Sequence, residues 1–353
     1  MRRATAVDTR EERTVTRIAI VGAGPAGCGA ADALREADAE VTVFEKSRGV
    51  SGRAATRRRE GCRYDHGANY VKEDDRTEVL LRELGEHGLG TVDGPVWTFD
   101  EGGAVSPGDR DETKFTWIEG ITQLGKRLLA RSDAEVLRET RVESIIHDRG
   151  WLLGDGGGER HGPFDRLLLT PPAPQTAGLL ADMGWQDGHL VALREAVGSV
   201  PYRTIRTVVC HYPFEIDPPW YALVNVDREH AIGWLSREEC KPGHVPDGET
   251  LLVVQMAPDW SSAHLDEPLD EVAPEVAERA ASLVGDERLA DPDWVDDQQW
   301  RYALPDGAVD AEIIRRGEPD GLFFAGDWVV GEGRVHRALW NGVAVGERIA
   351  DSL

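Results

Sequence analysis

Apolar residues along the chain follow two different rhythms. Ile18-Ala19-Ile20-Val21 is a short continuous apolar run, the pattern of a parallel strand buried on both faces. Gly22 to Gly29 opens a helix expected to run through Leu34, and Val41-Thr42-Val43-Phe44 supplies a second strand, so residues 16–46 read as one βαβ unit. Residues 77–89 read as a helix and 96–117 as short strands between glycine turns. Thr122 to Arg131 places Leu124, Leu128 and Leu129 on one helical face. Strands are expected at 135–146 and 150–154. Arg166-Leu167-Leu168-Leu169 is a further buried strand, ended by Thr170-Pro171-Pro172 because proline cannot donate to a ladder. From about 181 to 317 the rhythm becomes alternation: Thr204–His211, Ala231–Ser236 and Leu251–Ala257 suit an antiparallel sheet with one solvated face. A helix at 268–284 interrupts them. Leu322 to Ala325 and a helix from Val335 to Ile349 then return to the first pattern.

Charge narrows the choice of partners. Sixty-four acidic against 40 basic residues leave a formal net charge of −24, a surface that repels a phosphate backbone, so nucleic acid is not expected as a partner. Only five of the basic residues are lysines, Lys46, Lys72, Lys114, Lys126 and Lys241. Such an acidic, lysine-poor surface suits concentrated salt, where screening acts over about 3 Å at 1 M. No run of about 18 uncharged apolar residues is present, so no spanning helix and no membrane partner are expected. Arg2 and Arg3 do not make an export signal, since Asp8, Glu11 and Glu12 follow without an apolar region. Residues 1–15 read as a disordered polar leader. The four cysteines, Cys28, Cys62, Cys210 and Cys240, form no CxxC pair, so they are expected to be buried thiols in a reducing, cytoplasmic setting, with no metal site.

Gly22-Ala23-Gly24-Pro25-Ala26-Gly27 matches GxGxxG between a strand and a helix. Gly22 turns the chain, Gly24 admits a pyrophosphate and Gly27 packs helix on strand. The phosphates of a dinucleotide belong at that helix N-terminus. Glu45 closes the second strand near the spacing of about 20 residues at which an acid binds ribose hydroxyls, and it disfavours a 2′-phosphate. Lys46 follows it.

The segment 44–70, FEKSRGVSGRAATRRREGCRYDHGANY, resembles the second FAD-contacting segment of the glutathione-reductase-like flavoproteins of the amine-oxidase group. Its core is Gly49, Ser51, Gly52 and Arg53, with Ser51 where the usual pattern has a glycine. Arg53 would stand beside the pyrophosphate. Gly321 to Trp328, GLFFAGDW, is similar to the C-terminal flavin signature of that group, in which Gly326-Asp327 reaches the ribityl or phosphate region. The helix entered at Gly333-Arg334-Val335 would aim its positive end at the flavin N1 and C2 carbonyl. The motifs DHGANY (65–70), WIEG (117–120), LTPPAPQ (169–175), WRYALP (300–305) and AGDW (325–328) stand in the order of renalase-like oxidoreductases, with Asn69 for the usual Gln and His66 for an apolar residue.

The fold class expected is therefore α/β. A Rossmann-type FAD-binding domain with a parallel sheet would comprise 16–72, 118–180 and 318–353, and an inserted α+β substrate domain on an antiparallel sheet would comprise 73–117 and 181–317. The resemblance implies a FAD-dependent oxidase that holds FAD non-covalently. It would oxidise a small planar donor such as a dihydronicotinamide isomer of NAD(P), with molecular oxygen as acceptor. It implies cofactor contacts at Gly22, Ala23, Gly24, Pro25, Ala26, Gly27, Glu45, Lys46, Gly52, Arg53, Asn69, Tyr70, Gly326, Asp327 and Val335. Asn69 and Tyr70 would line the flavin edge; Trp300, Tyr302 and Trp328 would wall the substrate, Arg301 would contact its charge, and His336 and Trp340 are weaker candidates. No general base is singled out. Two other readings stand beside this one: a flavin amine oxidase, many of which use a lysine bridged by water to N5, and a flavin-binding redox module without turnover.

Overall fold

The computed structural model describes residues 15–110, 112–185 and 188–353; the expected leader, Val15 apart, lies outside them. Five parallel strands form one sheet in the order Glu135–Leu137, Ala39–Phe44, Thr16–Val21, Arg166–Leu169, Leu322–Phe324. Alternate residues of the same strand feed two cores. Ile18 and Ile20 meet Cys28, Leu124, Leu128 and Leu339 on one face, while Ala19 and Val21 meet Trp151, Leu153 and Leu180 on the other. This double coverage is why the strand sequences are continuously apolar, and each fully buried Leu or Ile adds roughly 1.5–3 kcal/mol. The chain runs outward from Thr16–Val21 in both directions, so the switch point of the sheet lies at the carboxyl end of that strand, where ligands of open α/β sheets bind.

A second, seven-stranded sheet has the order Trp294–Pro305, Tyr202–Tyr212, Thr250–Met256, Ile232–Arg237, Ala222–Asn225, Val96–Phe99, Val105–Arg110. It is mixed, not purely antiparallel: Ala222–Asn225 runs parallel to Val96–Phe99, because the latter enters the sheet as half of its own hairpin with Val105–Arg110. The helix Leu269–Val284 covers one face through Val276, Ala280 and Leu283. Against the other lies the hairpin Thr56–Arg59/Cys62–Asp65, with Cys62 and Tyr64 on Val209, Leu251 and Val253. That hairpin carries the chain from the dinucleotide motifs to the second sheet.

Several boundaries differ from expectation. The helix expected at 77–89 spans Asp75–Glu83, started by the Asp74 side chain accepting from Arg76 and Thr77. It gives way to the strand Leu89–Thr91 through Gly85 and Gly88, both at positive φ. The strand expected at 135–146 is two strands: the turn at Glu139, φ 55°, sends Val142–His147 into a separate antiparallel sheet. Packing also divides the chain differently. Only 96–110 of the segment 73–117 joins the large sheet, whereas Leu80, Leu81 and Trp117 belong to the core of the parallel sheet, as do Leu193 and Val197 of the helix Leu190–Gly198.

Candidate cofactor and substrate site

Gly22, at φ 100°, ends the first strand and donates to the Phe44 carbonyl at 2.8 Å. The helix Pro25–Ala33 then begins at Gly24 with no side-chain cap, and Pro25 has no N–H to leave unpaired. The amides of its first turn and its dipole together make an anion site. Space there is shaped by glycine. A Cβ at Gly24 would meet nothing within 4 Å, whereas one at Gly27 would stand 1.9 Å from the Gly22 carbonyl oxygen. Gly52, φ 52°, faces Gly24 across a gap of 3.6 Å from its would-be Cβ to the Gly24 Cα, so the two turns form opposite lips of one cradle. Ser51 adopts φ 78° where glycine is the easier residue. Its side chain is accommodated by Gly125, where a Cβ would lie 2.4 Å from Ser51 Oγ.

Glu45 is buried, its two oxygens accepting from the Ala23 amide (2.9 Å) and the Ser47 amide (2.8 Å). The carboxylate is thereby oriented at the rim of the cradle, and with burial it pushes the Cys28 thiol well above the ordinary range. Lys46 is exposed. Arg53 forms a two-pronged pair with Asp327, 2.8 Å at each contact, and donates to the Ala303 carbonyl at 2.8 Å. Burial disfavours its charge, but Asp327 and Tyr202 outweigh this and hold its pKa above the ordinary value. Gly326 donates to Asn341 Oδ1 (2.9 Å), and Val335 starts the last helix, Val335–Asp351, again without a side-chain cap. That helix crosses the first one closely enough that a Cβ at Gly342 would lie 2.0 Å from the Ala26 carbonyl oxygen. Two uncapped helix starts, one arginine and an open glycine cradle thus lie together, a donor set that fits the phosphates of a dinucleotide.

Beyond the cradle, Asn69 accepts from Ser236 Oγ at 3.2 Å. The Tyr70 ring lies 6.3 Å from Tyr221 and 6.4 Å from Trp234, with Tyr221 and Trp234 6.2 Å apart. Trp300 donates to the His66 carbonyl (3.0 Å) and its ring is 5.4 Å from the imidazole; Tyr302 packs edge-on against Tyr202 at 5.9 Å. Burial, then Arg57, presses the His66 pKa down to about 4. One expectation fails. Trp328 is fully buried, donating to the Pro171 carbonyl and packed on Phe324, so it is core and not a substrate wall. Arg301 pairs with Asp266 on the surface. Trp340 is tied to Thr77 Oγ1 and lies under Arg76. His336 is buried at the start of the last helix, its pKa lowered by burial.

Ser236, Tyr221, Trp234, Tyr202 and Gln255, which donates to the Gly67 carbonyl at 2.6 Å, carry no motif; their only signal is the alternation of the strands that hold them or, for Tyr221, that it leads into. A buried quartet lies close by. Asp65 meets Lys241 at 2.9 Å, Lys241 meets Glu238 at 2.8 Å, and His244 bridges Glu238 (3.1 Å) and the Trp117 carbonyl (3.0 Å). Asp65 also accepts from Thr56 Oγ1 and the Ile121 amide. Burial opposes the charge of Asp65, yet Lys241 and His244 hold its pKa below the ordinary value. Both nitrogens of His244 face acceptors, and the Lys241 ammonium lies between the two carboxylates. Lys241 is thus committed to ion pairs.

Models of two families match the chain: a NAD(P)-binding Rossmann-like domain over residues 20–84 and the flavin containing amine oxidoreductases over 93–350. The fold is similar to that of cyclohexylamine oxidase from Brevibacterium oxydans IH-35A (TM-score 0.72, 15% identity, 96% of this chain and 99% of that one). It is similar to wild-type putrescine oxidase bound to putrescine (0.70, 15%, 96% and 98%) and to reduced UDP-galactopyranose mutase (0.76, 12%, 96% and 95%). Among the described residues no helix is long and apolar enough to cross a membrane.

Proposed function

This chain belongs to the flavin-containing amine oxidoreductases and is an FAD-dependent oxidoreductase, and from that premise we propose that it is a renalase-like oxidase of dihydronicotinamide isomers. FAD would be held non-covalently: its diphosphate on the Ala26 and Gly27 amides and Arg53, its adenosine ribose on Glu45, its ribityl region near Asp327, and its pyrimidine edge at the start of the helix Val335–Asp351. When bound, the cofactor supplies the hydride acceptor, with oxygen taking the electrons afterwards.

The observation that supports this reading is that four of the five segments are tied together by hydrogen bonds, directly or through Arg53, and the fifth lies beside a residue bonded to Asp65. Asp65 accepts from the amide of Ile121, next to Trp117–Gly120. Trp300 donates to His66, Arg53 spans Ala303 and Asp327, and Trp328 donates to Pro171. Segments far apart in sequence are thus parts of one wall. Asn69 and Tyr70 would leave that wall at the flavin edge, and the partly exposed rings of Tyr70 and Trp234, backed by the buried Tyr221, would offer faces to a planar donor. The Trp234 indole N–H is buried without an acceptor among the described residues, a donor of the kind that suits a carboxamide oxygen. A second reading, amine oxidation, is supported by the same rings, since aromatic faces also attract cations; against it stands Lys241, held in two ion pairs away from any bridging role.

The test is anaerobic mixing of the oxidised flavoprotein with dihydronicotinamide isomers, NADH and primary amines. Rapid bleaching by the isomers supports the proposal, and bleaching by amines alone replaces it with the second reading.

A further inference from the structure

Away from the cradle, Cys62, His211 and Glu249 meet where the Thr56–Asp65 hairpin lies on the seven-stranded sheet, a donor atom of each lying within 4.8 Å of the other two. Cys62 opens the second strand of the hairpin, His211 lies near the end of Tyr202–Tyr212, and Glu249 immediately precedes Thr250–Met256. The His211 ring is buried and stacked on Trp294, centroids 4.9 Å apart and planes 7° from parallel, so its orientation is set. Nε2 is 2.9 Å from Glu249 Oε2, and Nδ1 is 3.4 Å from Asp293 Oδ2 with no hydrogen bond.

A carboxylate only accepts, and a neutral imidazole has one N–H. With that N–H on Nδ1, facing Asp293, Nε2 presents its lone pair beside the Glu249 carboxylate and the Cys62 sulfur. A thiolate, an imidazole nitrogen and a carboxylate so placed are the donors that zinc and similar ions take.

We propose that Cys62 Sγ, His211 Nε2 and Glu249 Oε2 bind one divalent ion of the zinc type. Asp293 would then accept from Nδ1–H, the carboxylate that commonly orients a metal-bound histidine. Cys62 binds as thiolate, its proton passing to solvent, and the fourth position opens on the partly exposed side of Glu249, where water completes a tetrahedron. The ion ties the hairpin to two strands of the large sheet. Its role is structural, and it sets the base from which Asp65 to Tyr70 extend.

The test uses the full-length flavoprotein, freed of metal by chelation and titrated with Co²⁺. One equivalent is expected to give intense tetrahedral d–d bands in the red, where oxidised flavin does not absorb. Zn²⁺ should abolish them, Cys62→Ser should lose them, and Cys240→Ser should keep them. X-ray absorption at the zinc edge of the wild type needs no variant: the expected shell is one sulfur near ~2.3 Å with nitrogen and oxygen at ~2.0–2.2 Å. Absence of the bands from the wild type, bands unchanged in Cys62→Ser, or a shell of oxygen alone would overturn the site.

Discussion

Replacing Gly24 and Gly27 separately by alanine distinguishes what the ligand requires from what the protein requires. Gly24 has φ −76° and ψ −179°, a conformation open to alanine, and its Cβ would touch nothing within 4 Å. Flavin-free Gly24→Ala should therefore fold as stably as the parent or gain about 0.4–1 kcal/mol from its stiffer unfolded chain. The methyl group would instead fill the space the diphosphate needs. Charge-assisted hydrogen bonds contribute about 1.5–3 kcal/mol each, so disturbing one or two costs roughly 2–4 kcal/mol, or about 30- to 1,000-fold in affinity. Gly27→Ala acts on the protein itself, because its Cβ would stand 1.9 Å from the Gly22 carbonyl oxygen. Forcing the helix off the turn costs about 1–3 kcal/mol or more with no ligand present. Urea unfolding of the flavin-free proteins, paired with quenching of FAD fluorescence on titration, reads both quantities. A Gly24→Ala protein that binds FAD as the parent does, or that is destabilised like Gly27→Ala, would refute the reasoning.

Three further outcomes follow from the same structure. Burial holds the His66 imidazole down to about 4 in the folded protein, below its ordinary 6.5, so the unfolded chain binds more protons between those values. Its contribution is present above pH 6.5, is lost as the pH falls towards 4, and amounts to roughly 3 kcal/mol at most. His66→Gln should flatten that part of the stability profile, and an unchanged difference between pH 7 and pH 4.5 would show that folding does not depress the His66 pKa. Lys241→Met leaves Asp65 and Glu238 facing each other without their ammonium and should cost about 3–5 kcal/mol in urea unfolding; a loss below 1 kcal/mol would mean the carboxylates simply take up a proton. The acidic surface predicts a melting temperature that rises with KCl, and a flat response would remove salt adaptation from the picture.

Local pattern revealed the parallel sheet well because its central strands and Leu322–Phe324 are buried on both faces and punctuated by glycine or proline. Gly22, Gly24 and Gly27 have separate tasks legible in the sequence, since a turn, a phosphate and a helix contact each demand a missing Cβ for a different reason. What pattern conceals is partnership across sequence. Arg53 with Asp327, Asn69 with Ser236 and Asp65 with Lys241 join residues whose neighbours along the chain say nothing of the pairing. Trp328 was misplaced because an indole in a strand-end motif reads the same whether it faces a ligand or Phe324. The antiparallel reading of the large sheet missed one parallel pair because alternation reports which face is buried and not the direction of the neighbouring strand.

The most direct test of the account is the spectrum of the purified protein before and after unfolding in the absence of reductant. The account predicts a yellow protein with oxidised-flavin absorbance that passes entirely into the filtrate as free FAD on denaturation. A colourless polypeptide that gains no flavin on incubation with FAD would contradict it.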